Sequence, residues 1–216
     1  MKKFELTTEF ITNAFGKKLF RIKALVEFGD VKAGELGGYV EKEGNVSQAG
    51  NAWVYGNARV YGDARVSGNA WVYGNARVYG DARVSGNAWV YGNAWVSGNA
   101  RVYGDARVYG DARVYGNAEV SGNAEVSGDA RVCGNAWVYG NADYALVQGF
   151  GTEFRCTTFY RGKNKKIMVN CGCFHGDLEG FRKQVKETRN GKIAKEYLMI
   201  ADLMEYHFTS EDSSDE

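Results

Sequence analysis

Proline is missing from all 216 residues of this chain, and histidine occurs only at 175 and 207. Without proline, every residue keeps the backbone N–H that an unbroken β-ladder needs. Residues 50–145 contain neither histidine nor threonine. That stretch therefore offers no imidazole as a general base near neutral pH. No charge of one sign dominates: 27 Lys and Arg face 26 Asp and Glu, a net charge of +1. The global field that steers proteins to polyanions or anionic membranes is thus absent. The apolar runs are too short to span a bilayer, and the opening Met-Lys-Lys-Phe-Glu leads into no hydrophobic signal core. A cytoplasmic location with no membrane partner is the expectation. The four cysteines (133, 156, 171 and 173) are too few and too clustered for a secreted disulfide framework.

What the chain does have is a repeat. From Gly50 it reads GNAWVY, GNARVY, GDARVS and onward, fifteen copies without an insertion, with a worn sixteenth (GNADYA) ending at Ala145. A fixed short period means a solenoid in which each unit buries its face against its neighbours. Within each unit Ala and Val lie two apart, as in Ala58 and Val60, so both point to one side of a strand. Arg59 and Tyr61 point to the other. Gly followed by Asn or Asp supplies the residue types that tolerate a corner.

The order aliphatic-x-x-x-small-x, here Val60-Tyr-Gly-Asn-Ala64-Arg, is similar to the hexapeptide repeat of left-handed parallel β-helices. The resemblance implies triangular coils of three hexapeptides, with the aliphatic and small residues stacked inside; the left hand is its implication too. Residues 50–145 would then make about five coils in a prism roughly 25 Å long.

The expected fold is mainly β: a left-handed parallel β-helix over 44–145, an N-terminal cap over 1–43, a small C-terminal α+β domain over 146–208 and a disordered acidic tail over 209–216. In the cap, Leu19–Phe28 reads as one or two strands broken at Gly29-Asp30, covering an exposed strand edge. After the repeats, 154–161 and 166–174 read as two strands around a Gly162-Lys-Asn-Lys turn. Asp177 is a candidate N-cap, with Leu178, Phe181 and Val185 at helical spacing up to Asn190-Gly191. A second helix is expected from Ile193 to about His207, giving a ββαα order.

Three further stretches extend the resemblance to phage- and prophage-encoded hexapeptide-repeat proteins: Phe28-Gly-Asp-Val-Lys-Ala-Gly-Glu-Leu-Gly-Gly-Tyr-Val-Glu41, Cys171-Gly-Cys-Phe174 and Ala194-Lys-Glu-Tyr-Leu. It implies an architecture and a phage origin but supplies no reaction. The acyltransferases of this fold use a histidine on a coil and a loop thrown out of the prism, and residues 50–145 have neither. The γ-class carbonic anhydrases need three histidines, and the ice-binding solenoids need rows of threonine. No cofactor is expected. Cys156, Cys171, Cys173 and His175 form a weak zinc candidate: the last three alternate along a strand, but the spacing matches no standard module, and buried thiols explain them as well.

Stacking at an interval of 18 sorts the outward side chains into rows. One face carries Trp53, Trp71 and Trp89 beside Tyr55, Tyr73, Tyr91 and Tyr109. A second carries Arg59, Arg77, Trp95, Arg113 and Arg131 beside Tyr61, Tyr79 and Tyr115. The third carries Arg65, Arg83, Arg101, Glu119 and Trp137, mostly beside Ser. Such types are enriched at binding hot spots, and they stack on bases and clamp phosphates. Copying of one unit could also have multiplied them. Each of five repeat Asp residues precedes an Arg by two, and over 50–145 eight Arg meet eight Asp and Glu. A duplex nucleic acid is therefore not the expected partner.

These readings lead us to expect a phage-encoded, non-enzymatic binding protein that inhibits or sequesters a host factor, either a protein or a nucleotide-like signal. Arg59, Tyr61, Arg77, Tyr79, Trp95, Arg113 and Tyr115 are the candidate partner-binding residues. Trp53, Tyr55, Trp71, Tyr73, Trp89 and Tyr91 are the candidate homo-oligomer interface, with a trimer first and a dimer second. An acyltransferase and a self-assembling structural protein are the alternatives.

Overall fold

The computed structural model describes residues 2–163 and 165–209. Its centre is a three-sided parallel β-solenoid built from fifteen two-residue strands, β4 (Trp53–Val54) to β18 (Trp137–Val138). Each strand is an x-Val pair from one repeat, hydrogen-bonded in parallel to the pair 18 residues away. The Ala residues from 52 to 136 and the Val residues from 54 to 138 are all fully buried in one continuous core. Each buried Val stabilises by roughly 1.5–3 kcal/mol relative to exposure, so the core grows with every turn. At the corners, amides such as Asn75 N donate to the Gly carbonyl of the next turn (Gly92 O, 2.8 Å). Asn side chains form a second ladder, Asn69 to Asn87 at 3.1 Å and Asn87 to Asp105 at 2.9 Å.

The N-terminal segment does more than cover an edge. Strands β1 (Phe4–Thr12) and β2 (Lys18–Ala24) form an antiparallel hairpin, and β2 pairs with β3 (Leu36–Val40). β3 then runs parallel to Arg59–Val60 and continues that sheet. Repeat strands supply five members to each sheet, and β3 adds a sixth parallel strand to one, giving about six turns. The pair Gly37-Gly38 allows this docking. A Cβ on Gly37 would lie 2.6 Å from Val54 O and 2.7 Å from the Trp53 ring, and one on Gly38 would lie 2.7 Å from Ala58 O. β1 lies outside the strands expected from sequence.

The C-terminal unit is a four-stranded antiparallel meander followed by two helices. Its strands are β19 (Tyr144–Phe150), β20 (Arg155–Arg161), β21 (Ile167–Cys171) and β22 (Phe174–Asp177), in that spatial order. The expected ββαα is thus corrected to ββββαα. The worn sixteenth repeat runs into β19, and a turn with Gly172 at φ 60° splits the single strand expected over 166–174. Helices α1 (Leu178–Thr188) and α2 (Gly191–Thr209) close over a core that includes Phe159, Val169, Phe181 and Ala201. Asp177 caps α1 by accepting from Gly180 N at 3.0 Å. β20 seals the last coil: Arg131 N donates to Thr158 Oγ1 at 3.0 Å, and Ala136 bridges to Gly162. Of the expected acidic tail, Thr209 ends α2 and 210–216 lie outside the described residues. Among the described residues no helix is long and apolar enough to cross a membrane.

Candidate functional site

Parallel register at an interval of 18 turns the outward positions of each sheet into straight rows. On the arginine–tyrosine face, Arg59, Arg77, Trp95, Arg113 and, one turn further, Arg131 stand in register. Tyr61 and Tyr79 stack with ring centroids 5.1 Å apart and planes 3° apart. Tyr79 meets Trp95 edge-on at 6.4 Å. The guanidinium of Arg77 lies 4.9 Å from the Trp95 ring centre and that of Arg113 lies 4.7 Å from it. Each cation–π contact contributes about 0.5–1 kcal/mol at an exposed site. Burial, and next to it the Tyr79 phenol, pushes the Tyr61 phenol above its ordinary range. The row is therefore pre-ordered: aromatic faces and guanidinia sit side by side on a rigid sheet, with no proton-transfer group among them.

Tyr115 stands apart from that cluster. Its hydroxyl accepts from Asn170 Nδ2 at 3.2 Å in the joint with the C-terminal unit, and Ser97 occupies the turn between it and Tyr79. The hydroxyl is thus a tether to the C-terminal unit in this geometry.

On the tryptophan face the rings of Tyr73, Tyr91 and Tyr109 stack at 4.8 and 4.9 Å. Arg107 covers Trp89 at 5.5 Å and pairs with Glu125 at 3.0 Å. Trp89 is 42 % exposed and Tyr55 45 %. Trp71 is half-buried. Trp53 departs from the expected interface row. It is fully buried, with Phe28 and Phe4 edge-on to it at 5.3 and 6.0 Å, because the N-terminal hairpin and its following loop fold over the first repeat.

The structure also separates the five Asp–Arg pairs. Among the described residues no ion pair joins an Asp to the Arg two positions on. Asp105 and Asp111 instead accept from the corner amides of Asn87 and Asn93. Asp63 pairs with Lys42 at 2.7 Å.

The cysteine–histidine candidate does not converge, and among the described residues no three of His, Cys, Asp and Glu are grouped to hold a metal. Cys171 pairs across the hairpin with Phe174, so Gly172 and Cys173 form the turn and His175 falls opposite Asn170. Cys171 Sγ accepts from Thr157 Oγ1 at 3.1 Å, whereas Cys173 is exposed. Burial raises the Cys156 thiol above its ordinary range.

His175 belongs to a different cluster. Its Nε2 lies 3.0 Å from Tyr160 Oη, Tyr160 Oη lies 3.4 Å from Cys133 Sγ, and Asn170 Nδ2 donates to Cys133 Sγ at 3.3 Å. This polar joint fastens the C-terminal unit to the solenoid, and sequence reasoning missed it. One signal was available: Cys133 ends its repeat where the other fourteen intact copies have Tyr or Ser.

Fold and faces together define a β-solenoid repeat protein. Eight overlapping windows (52–68, 58–74, 70–84, 76–92, 82–98, 94–110, 100–116 and 106–122) match a family model described as YdcK Beta solenoid repeat. The similarity lies wholly within the repeats. Comparison with curated proteins gives no match.

Proposed function

We propose that this chain is a non-enzymatic binding protein that captures a nucleotide-like ligand on its arginine–tyrosine face. The observation that carries this reading is the Arg77–Trp95–Arg113 stack beside the parallel rings of Tyr61 and Tyr79. Aromatic rings stack on a base and guanidinia hold phosphate, and a rigid sheet offers both without an ordering cost. Catalysis is disfavoured by the residues at hand. The repeats carry no histidine, and His175 is engaged by Tyr160 at the far end of the solenoid.

In the same reading the solenoid is the left-handed hexapeptide type, and the chain is phage-encoded and acts in the host cytoplasm. There it inhibits or sequesters a host signal, as a homotrimer or dimer associating through Tyr55, Trp71, Tyr73, Trp89 and Tyr91. A host protein with an acidic surface is the corresponding partner if the target is macromolecular.

The test is a panel of nucleotides titrated into the wild-type chain and the Arg77→Ala/Tyr79→Ala variant. The variant should bind at least about tenfold more weakly, the scale of one lost stacking contact and one lost charge-assisted contact. Equal affinity would remove the site. Turnover of an acyl donor by the wild-type chain would point instead to the acyltransferase alternative.

A further inference from the structure

A concavity of about 700 Å³ lies on neither aromatic face. It opens at the N-terminal end of the serine face, where the 43–48 segment overhangs the outward side chains of Arg65 and Arg83. Val46 bridges to Val66, which pairs with Val84, so Ser47, Ser67 and Ser85 follow in one row along the groove. Gln48 and Glu43 complete its wall.

Glu43 in the wall and Asp63, on which Arg65 acts electrostatically, temper the charge of this groove without closing on either guanidinium. Arg65 and Arg83 are register partners on adjacent strands, about 4.8 Å apart along the stack. Among the described residues neither forms an ion pair. The next member of the row differs: Arg101 faces Glu119 at 3.9 Å, and Lys163 holds the same carboxylate at 2.8 Å. Asp63, two residues before Arg65, is taken by Lys42, and Glu43 in the wall is taken by Lys2. Two guanidinia one strand apart repel each other, and an anion between them relieves that repulsion. Guanidinium forks bind phosphoryl oxygens bidentately, and serine hydroxyls alongside can donate further hydrogen bonds.

We propose that this groove binds a small polyanion of linked phosphoryl groups, one held by Arg65 and the next by Arg83, with Ser67 and Ser85 alongside. No aromatic side chain lines the groove, so a base is not read here. Free polyphosphate and the phosphate chain of a nucleotide should bind alike. The site is independent of the arginine–tyrosine face, and the two can fail separately.

Titration calorimetry with sodium tripolyphosphate, adenosine triphosphate and orthophosphate tests it on the full chain. In the Arg77→Ala/Tyr79→Ala background, where the arginine–tyrosine face is disabled, both linked phosphates should bind with similar affinity, and orthophosphate at least about tenfold more weakly. Arg65→Gln/Arg83→Gln should weaken tripolyphosphate by at least about tenfold, and Arg65→Lys/Arg83→Lys by less, since charge is kept and the fork is lost. The Arg77→Ala/Tyr79→Ala variant should bind tripolyphosphate as the wild type does. An unchanged affinity in the Gln variant, no binding to the wild type, or an equal loss in the other-face variant would each overturn the assignment. Both arginine side chains are exposed, and a matching thermal melt confirms that the variants fold.

Discussion

Tyr160 Oη lies 3.0 Å from Nε2 of His175 and 3.4 Å from Sγ of Cys133, so one hydroxyl on β20 ties the outermost strand of the C-terminal sheet to the last coil of the solenoid. Tyr160 is fully buried, and its burial pushes the phenol far above its ordinary range, so the hydroxyl stays protonated. Tyr160→Phe keeps the ring and removes the hydroxyl. It should cost about 1 kcal/mol, the net worth of a typical hydrogen bond, whereas Tyr160→Ala should cost about 3–5 kcal/mol through the cavity it leaves. A double-mutant cycle with His175→Ala, read by urea denaturation, should show a coupling of at least about 0.5 kcal/mol. Additive effects would mean that the contact is idle.

The corners rest on glycine for two separable reasons. Gly86 has φ +69°, and a Cβ there would lie 2.8 Å from Gly104 N. Gly128 has φ +60°, but no atom lies within 4 Å of the position a Cβ would take. Gly128→Ala should therefore cost only the left-handed penalty of roughly 1–2 kcal/mol. Gly86→Ala should add an overpacking cost of at least about 1 kcal/mol. Equal unfolding midpoints for the two variants would show that the coils relax around the methyl group.

Alkaline pH should reveal a buried amine. Lys3 Nζ donates to Ala52 O at 2.8 Å and Gly50 O at 3.1 Å, and burial lowers its pKa from 10.5 to about 8. Between about pH 8 and 10.5 the unfolded chain then binds more protons at this site than the folded chain does, so stability rises with pH. Tyr61, Tyr73 and Tyr91 act with the opposite sign. Burial, followed by a stacked neighbour, raises each phenol above its ordinary 10.0, so the stability they contribute is complete below that pH and lost above it. Urea midpoints should therefore increase from about pH 7.5 to about pH 8.5, below the tyrosine range and below the ordinary thiol value of 9.0, above which the raised Cys156 thiol opposes the increase. Lys3→Met should abolish the increase; a wild-type midpoint that falls over this window would contradict the assignment.

What was legible in the sequence depended on how far apart the interacting residues lie. In the repeats every core contact recurs at an interval of 18, so the Ala and Val positions could be read from the six-residue period, and the three faces with their rows of Arg and aromatic residues from the resemblance that groups three hexapeptides into a coil. The helices were legible because their signals are local: Asp177 as cap, then Leu178, Phe181 and Val185 at helical spacing. The caps were not, because their contacts are long-range and unrepeated. Nothing near Trp53 in sequence announces that Phe4 and Phe28 will cover it. Cys171, Gly172 and Cys173 fit an alternating strand as well as a hairpin turn, and only the pairing of Cys171 with Phe174 decides. The Asp–Arg spacing suggested local neutralisation, but the corners turn Asp105 and Asp111 toward the Asn ladder instead.

Trp53 and Trp89 occupy equivalent positions two turns apart, and they should respond differently to the same substitution. Trp53 sits between the first coil and the cap, in contact with Phe4 and Phe28, so Trp53→Ala should cost about 3–5 kcal/mol and loosen the N-terminal hairpin. Its indole N–H is buried with no acceptor among the described residues. Trp53→Phe sheds that unsatisfied donor along with some volume and should therefore cost clearly less than the alanine variant. Trp89 is 42 % exposed and held mainly by Arg107 and Tyr73, so Trp89→Ala should change the stability of the isolated fold by no more than about 1 kcal/mol. If the tryptophan face is a homo-oligomer interface, that same change should shift sedimentation toward the monomer with little effect on the monomer's melt. A large stability loss at Trp89 with no change in assembly would place it with Trp53 as a core residue and remove it from the interface.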